Sequence, residues 1–149
     1  WLESHGIEAV SYRDRDAGQL TEALQVACPE GFDIYYENVG GTCLEAALNT
    51  LRTGGRIAVC GMITRYNAQE PAPGPSNLAM VLIKRLRMQG FIIFDHWADY
   101  PRFLEEVGPL VANGEIDYAE TIEEGFERTP EAFLALFEGA NTGKMLVRL

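Results

Sequence analysis

Basic charge is what this chain has least of. Twelve Lys and Arg stand against 22 Asp and Glu, for a formal net charge of -10. Phosphate backbones are held by clustered Lys and Arg, and here those residues are scattered, which excludes a nucleic-acid partner. Cysteine is sparse too. Cys28, Cys43 and Cys60 cannot all pair, and none stands in a C-x-x-C spacing or beside a suitable His. Neither a disulfide framework nor a metal site is expected, and the compartment that fits is the reducing cytoplasm. No run approaches the ~20 apolar residues of a membrane span, and no segment has the layout of a secretory signal. The opening Trp1-Leu2-Glu3-Ser4-His5-Gly6 has no initiator Met and reads as the end of a helix with a Gly cap, so an interior cut is expected.

What is present is an alternation of strand-like and helix-like segments over 149 residues with 47% hydrophobic content. That is enough for a core, and alternation of this kind marks βα units and a parallel sheet. Strands are expected at Ile7 to Tyr12, Phe32 to Glu37, Arg56 to Cys60, Gln89 to Phe94 and Lys144 to Leu149. Leu20, Ala23, Leu24 and Ala27 share a helix face, as do Leu44, Ala47, Leu48 and Leu51 in a helix that Gly54-Gly55 should stop. A proline-rich loop, Met62 to Pro75, precedes a helix carrying Leu78, Val81, Leu82 and Leu86. Pro101 opens another, with Phe103, Leu104, Val107, Leu110 and Val111 as its buried side. Thr129-Pro130 opens the last, which runs through Phe133, Leu134 and Phe137 to Gly139. One domain over 1–149 accounts for these elements, and the charge run Glu120 to Glu127 reads as a solvated face.

Parallel sheets with helical crossovers bind ligands beyond the carboxyl ends of their strands. That rule selects Asn38-Val39-Gly40-Gly41, Gly61 to Asn67 and the Phe94-Asp95-His96 exit. Gly40-Gly41 lets a ligand approach the backbone, or simply makes a tight turn into a helix. In Cys60-Gly61-Met62-Ile63-Thr64-Arg65-Tyr66-Asn67, a strand end is followed by hydroxyl, cationic, phenolic and amide side chains, an unusual mixture for a turn. His96 beside Asp95 is a weak acid/base pair, because neighbours on a strand point to opposite faces.

Together with Phe32 to Gly41, Lys84 to Phe91 and Gly139 to Lys144, this run resembles the zinc-independent medium-chain dehydrogenase/reductase proteins of the prostaglandin reductase, leukotriene 12-hydroxydehydrogenase and plant double-bond (alkenal) reductase group. The similarity covers nearly the whole chain, with four motifs in the same order. It implies a Rossmann-like doubly wound parallel sheet, incomplete at its amino-terminal end, which is the carboxyl-terminal part of a dinucleotide-binding domain. It implies an NADP-dependent oxidoreductase that uses NADPH to reduce the carbon-carbon double bond of small enals or enones. By the resemblance Tyr66 is the catalytic donor. The implied cofactor contacts are Tyr12, at the 2'-phosphate, Asn38, Gly40, the stretch Cys60, Gly61, Met62, Ile63, Thr64, Arg65 and Tyr66 along the nicotinamide half, Phe91, Ile92 and Ile93 flanking the ring, and Asn141. A homodimer through the edge strand Gln89 to Phe94 is implied as well.

A dinucleotide fold should also contain a strand, a glycine-rich turn and a helix N-terminus that hold the pyrophosphate, and the chain has no such element. Two other readings therefore stay open. One is a non-catalytic structural or interaction module derived from such a reductase. The other is a different Rossmann-like enzyme, which would share the alternation but not the Tyr66-Asn67 and Asn141 motifs together.

Overall fold

Asp16 begins the first long helix by closing a capping box. Its carboxylate accepts from the Gln19 amide at 2.8 Å, while Gln19 Oε1 accepts from the Asp16 amide at 3.1 Å, satisfying two donors that a helix start leaves open. The helix, α1 (Ala17–Ala27), turns Leu20 inward. The computed structural model describes all residues, Trp1–Leu149, and divides them into two compact units, Trp1–Asp95 and His96–Leu149.

In the first unit, β1 (Phe32–Glu37), α2 (Gly41–Thr50), β2 (Leu51–Val59), α3 (Ala79–Ile83) and β3 (Arg87–Gly90) follow α1. The strands form a parallel sheet in the order β1-β2-β3, which is the α/β architecture expected. Leu44, Leu48, Leu51, Ile57 and Leu86 form its core, and Leu20, Cys43 and Ala46 join α1 to α2. Each fully buried Leu or Ile contributes roughly 1.5–3 kcal/mol by leaving water. The carboxyl end of α2 is held by Lys84, whose Nζ donates to the carbonyls of Leu48 (3.1 Å), Asn49 (2.6 Å) and Leu51 (2.8 Å). A cation there satisfies carbonyls that the helix cannot and faces the negative end of its dipole. Burial pushes the Lys84 pKa down.

The second unit contains α4 (Tyr100–Ala112), β4 (Glu120–Glu124), α5 (Thr129–Glu138) and β5 (Lys144–Arg148). β4 and β5 pair in parallel, and α5 packs on β5.

Five sequence expectations need correction. Ile7 to Tyr12 is not a strand: it joins no ladder, and an apolar segment becomes a strand only where its N-H and C=O groups find partners. Val10 alone sinks into the α1–α2 core, while Ile7 and Tyr12 are exposed. Gly54-Gly55 does not stop α2, which ends at Thr50; both glycines lie inside β2, where the register slips between Phe32↔Leu51 and Ile34↔Arg56. The helix expected through Leu86 ends at Ile83, and Arg85 takes a φ of 49°, outside the helical region. The strand expected at Gln89 to Phe94 is Arg87–Gly90, after which Ile93–Asp99 winds as 3₁₀ helix. Finally, no residue of the apolar stripe of α4 is buried, because a helix period sets which face is apolar and not what covers it.

Candidate functional site at the carboxyl edge of the sheet

The three parallel strands end side by side. Glu37 stands opposite Val59, and Val59 opposite Gly90, so the segments leaving β1, β2 and β3 emerge along one edge. Glu37 organises that edge and is fully buried. Its main-chain carbonyl accepts from the amides of Cys60 (2.9 Å) and Gly61 (3.0 Å). Its carboxylate Oε1 accepts from the amides of Val39 (2.6 Å) and Gly40 (2.8 Å) and from the Tyr35 hydroxyl (3.1 Å). The same residue therefore holds the turns after β1 and β2. Oε2 is buried and has no hydrogen-bond partner.

The two turns are then stitched together. Ile63 N donates to the Asn38 carbonyl at 3.0 Å, and Thr64 donates to the Val39 carbonyl from both its amide (3.1 Å) and its hydroxyl (2.7 Å). Gly40 sits beneath this seam with a φ of +80°, where an added Cβ would lie 3.0 Å from Thr64 Oγ1 and 3.2 Å from Met62 Cβ. Glycine is needed there for both its backbone angle and its size. Ile63–Arg65 form one 3₁₀ turn, and Tyr66 closes it with its amide on the Ile63 carbonyl at 3.2 Å. The Tyr66 side chain is 69% exposed, yet its hydroxyl returns to Gly61, where a Cβ would meet it at 2.8 Å, close also to the Asn38 carbonyl and side-chain oxygens. Arg65 Nη2 donates to the Ala72 carbonyl, which ties the proline-rich loop to the same turn.

Among the residues named from the sequence, Asn38, Gly40 and the stretch Cys60 to Tyr66 come together at this edge. Phe91 joins them, its amide bonded to the Val59 carbonyl at 3.3 Å and its ring 6.1 Å from that of Tyr36. Ile92 and Ile93 follow it and are exposed. Tyr12 lines an apolar groove of about 470 Å³ together with Tyr36, Asn38 and Val39. Asn141 belongs to the second unit, where its Nδ2 donates to the Gly143 carbonyl at 2.6 Å.

Glu37 and Tyr36 were missed. An acidic residue ending a strand before Asn-Val-Gly-Gly was the available signal for Glu37, since such a turn leaves amides in need of an acceptor. The Tyr36 phenol is raised above its ordinary range, first by its hydrogen bond with the Cys60 thiol. Burial, then the Glu37 carboxylate, pushes the Cys43 thiol up, which leaves it an inert core group. No group of three His, Cys, Asp or Glu side chains stands together as metal ligands, and no helix is long and apolar enough to cross a membrane.

Residues 1–108 match the family model described as zinc-binding dehydrogenase. The chain is 44% identical to the NADP(+)-dependent 2-alkenal reductase of Nicotiana tabacum over 94% of its own length and 40% of that protein's. It is 40% identical to prostaglandin reductase 1 of Bos taurus, over 99% of its own length and 45% of that protein's. The crystal structure of CurA from Vibrio vulnificus in complex with NADPH superposes with a TM-score of 0.83 at 42% identity, covering 96% of this chain and 43% of that one. The chain thus spans about 40% of the length of the curated relatives it matches.

Proposed function

Because the chain belongs to the zinc-binding dehydrogenase family, we propose that residues 1–149 are the carboxyl-terminal part of a dinucleotide-binding domain in an NADPH-dependent reductase. The complete enzyme reduces the carbon-carbon double bond of α,β-unsaturated aldehydes or ketones. The observation that carries this reading is the Tyr66 hydroxyl, a hydrogen-bond donor returned to the carboxyl edge of a parallel sheet against Gly61.

The residues at that edge fit a nicotinamide cofactor. Gly40 and Gly61 present no side chain, Asn38 offers a donor and an acceptor to an amide, and Phe91, Ile92 and Ile93 supply apolar surface for a ring. Tyr12, in the groove it shares with Asn38, is the assigned contact for a 2'-phosphate. Cys60, Met62, Ile63, Thr64 and Arg65 complete the proposed lining. When bound, NADPH supplies a hydride to the β-carbon of the substrate. Tyr66 then stabilises the oxygen on which negative charge develops by donating its phenolic hydrogen bond, and the α-carbon takes a proton from water. This role calls for no metal ligand, and the enzyme is read as zinc-independent.

Steady-state kinetics of the complete reductase test the assignment. Tyr66→Phe should lower kcat on enal and enone substrates by roughly 10-fold or more, as loss of one donor to a developing oxyanion does, with NADPH affinity nearly unchanged. An unaltered kcat across several such substrates would remove Tyr66 from the mechanism. We also propose a homodimer joined at the outer edge of the first unit, through Gln89 to Phe94. There Ile92 is 59%, Ile93 61% and Phe94 75% exposed, and apolar surface of that kind marks an interface. Light scattering should find a dimer that Ile92→Lys converts to monomer.

A further inference from the structure

Most of the glycines in this chain adopt positive φ, and Gly61 does not. Its backbone is open to any L residue, so the reason for glycine at 61 has to be space. The three atoms nearest to an added Cβ would be the Tyr66 hydroxyl at 2.8 Å, the Asn38 carbonyl oxygen at 3.6 Å and Asn38 Oδ1 at 3.7 Å. The two Asn38 contacts are ordinary van der Waals distances. The Tyr66 contact is shorter than a methyl tolerates, and it involves the far end of a side chain exposed enough to swing away.

We propose that Gly61 is a positioning residue: by carrying no side chain it leaves the slot in which the Tyr66 hydroxyl lies, and so fixes where the phenol donor stands. The anchoring of that slot supports the assignment. Gly61 N is bonded to the carbonyl of buried Glu37, and Tyr66 is tied through Ile63 to Asn38, so slot and phenol belong to one hydrogen-bonded frame. Of the three atoms nearest to a methyl at 61, the Tyr66 hydroxyl is the one too close to stay where it is. The catalytic consequence rests on the donor role proposed above for Tyr66; the placement itself does not.

The experiment is a double-mutant cycle in the complete reductase, combined with 3-fluorotyrosine labelling. Gly61→Ala should leave the melting temperature within a degree or two of the parent, since only an exposed ring has to move. It should lower kcat about as far as Tyr66→Phe does, with the KM for NADPH within 2-fold or so. In the Tyr66→Phe background the clashing oxygen is gone, and Gly61→Ala should add less than a roughly 2-fold further loss. Of the tyrosine fluorine lines of the complete reductase, the one lost in Tyr66→Phe should shift in Gly61→Ala. An unmoved line, or losses in kcat that simply multiply, would overturn the slot. A shifted line with unchanged kcat would uphold the slot and overturn the donor role, so the two ideas fail separately.

Discussion

The two units of this chain differ in how many of their apolar residues they bury. In the first, Leu20, Leu44, Leu48, Leu51 and Ile57 are all within 3% of complete burial. In the second, Ala132 alone is buried, while Phe103, Phe126, Phe133 and Phe137 are each more than half exposed. Amphipathic helices thus end in different environments. Periodicity tells which face of a helix is apolar; whether anything covers that face depends on a second layer. Stability in the first unit should be sensitive to side chains, and in the second chiefly to backbone geometry.

The largest effect is therefore expected at Glu37. Glu37→Leu would leave the amides of Val39 and Gly40 and the Tyr35 hydroxyl without their acceptor, at about 1–3 kcal/mol per unsatisfied group. A loss of roughly 3 kcal/mol or more should appear in denaturant midpoints. Leu134→Ala, at a residue 61% exposed in the second unit, should change stability by less than about 1 kcal/mol. Equal losses at the two positions would dissolve the contrast.

Gly143 should show the sensitivity of the second unit to backbone geometry. It has a φ of +73°, and an added Cβ would fall 1.9 Å from the Ala119 carbonyl oxygen, which accepts from Lys144 N at the start of β5. Backbone cannot swing aside as a tyrosine ring does. Gly143→Ala should cost on the order of 2 kcal/mol or more and open the β4–β5 pair, read as faster amide exchange from Lys144 to Arg148.

Much of this contrast was legible in the sequence where local pattern and tertiary outcome agree. The helix face of Leu44, Ala47 and Leu48 and the strand Phe32 to Glu37 appear where expected, because their periodicity meets a sheet that covers them. The segment Ile7 to Tyr12 has equal strand character and is no strand, since pairing is a property of a neighbour and no single sequence window contains it. β4 was hidden for the opposite reason: Glu120-Thr121-Ile122-Glu123-Glu124 looks like a solvated run, and its backbone finds β5 despite that. At the site, residue types and strand-end position brought Asn38, Gly40 and Cys60 to Tyr66 together. The Glu37 hub stayed hidden because a buried carboxylate facing backbone amides leaves no periodic trace.

A smaller, pH-dependent effect separates the units further. Burial, then the Glu37 carboxylate, raises the Tyr35 phenol above its ordinary range. A folded pKa above the unfolded one means that the stabilisation is complete below about pH 10 and is lost as pH rises toward the folded value, because the unfolded chain gives up the proton first. Unfolding midpoints of the first unit should decline above pH 10, and less steeply in Tyr35→Phe. An identical decline in both proteins would assign the alkaline loss elsewhere.

The smallest effect is expected from an ion pair that looks strong by distance alone. Arg148 Nη1 lies 2.6 Å from Glu124 Oε1 across the β4–β5 ladder, as close as Val39 N lies to Glu37. The side chains of Arg148 and Glu124 are 63% and 65% exposed, so water and salt screen the attraction, and ordering two long side chains offsets much of the remainder. Glu124→Gln should shift stability by about 0.5 kcal/mol or less, and the difference should vanish in roughly 0.5 M salt, where screening acts over only a few ångströms. The carboxylate of Glu37 is fully buried and bonded to amides that have no other acceptor, so the effect of Glu37→Leu should be insensitive to salt. Measured side by side, the two variants ask whether burial or distance sets the energy of a carboxylate contact here. A salt-resistant loss of several kcal/mol in Glu124→Gln would decide for distance, and with it the contrast between the two units would fall.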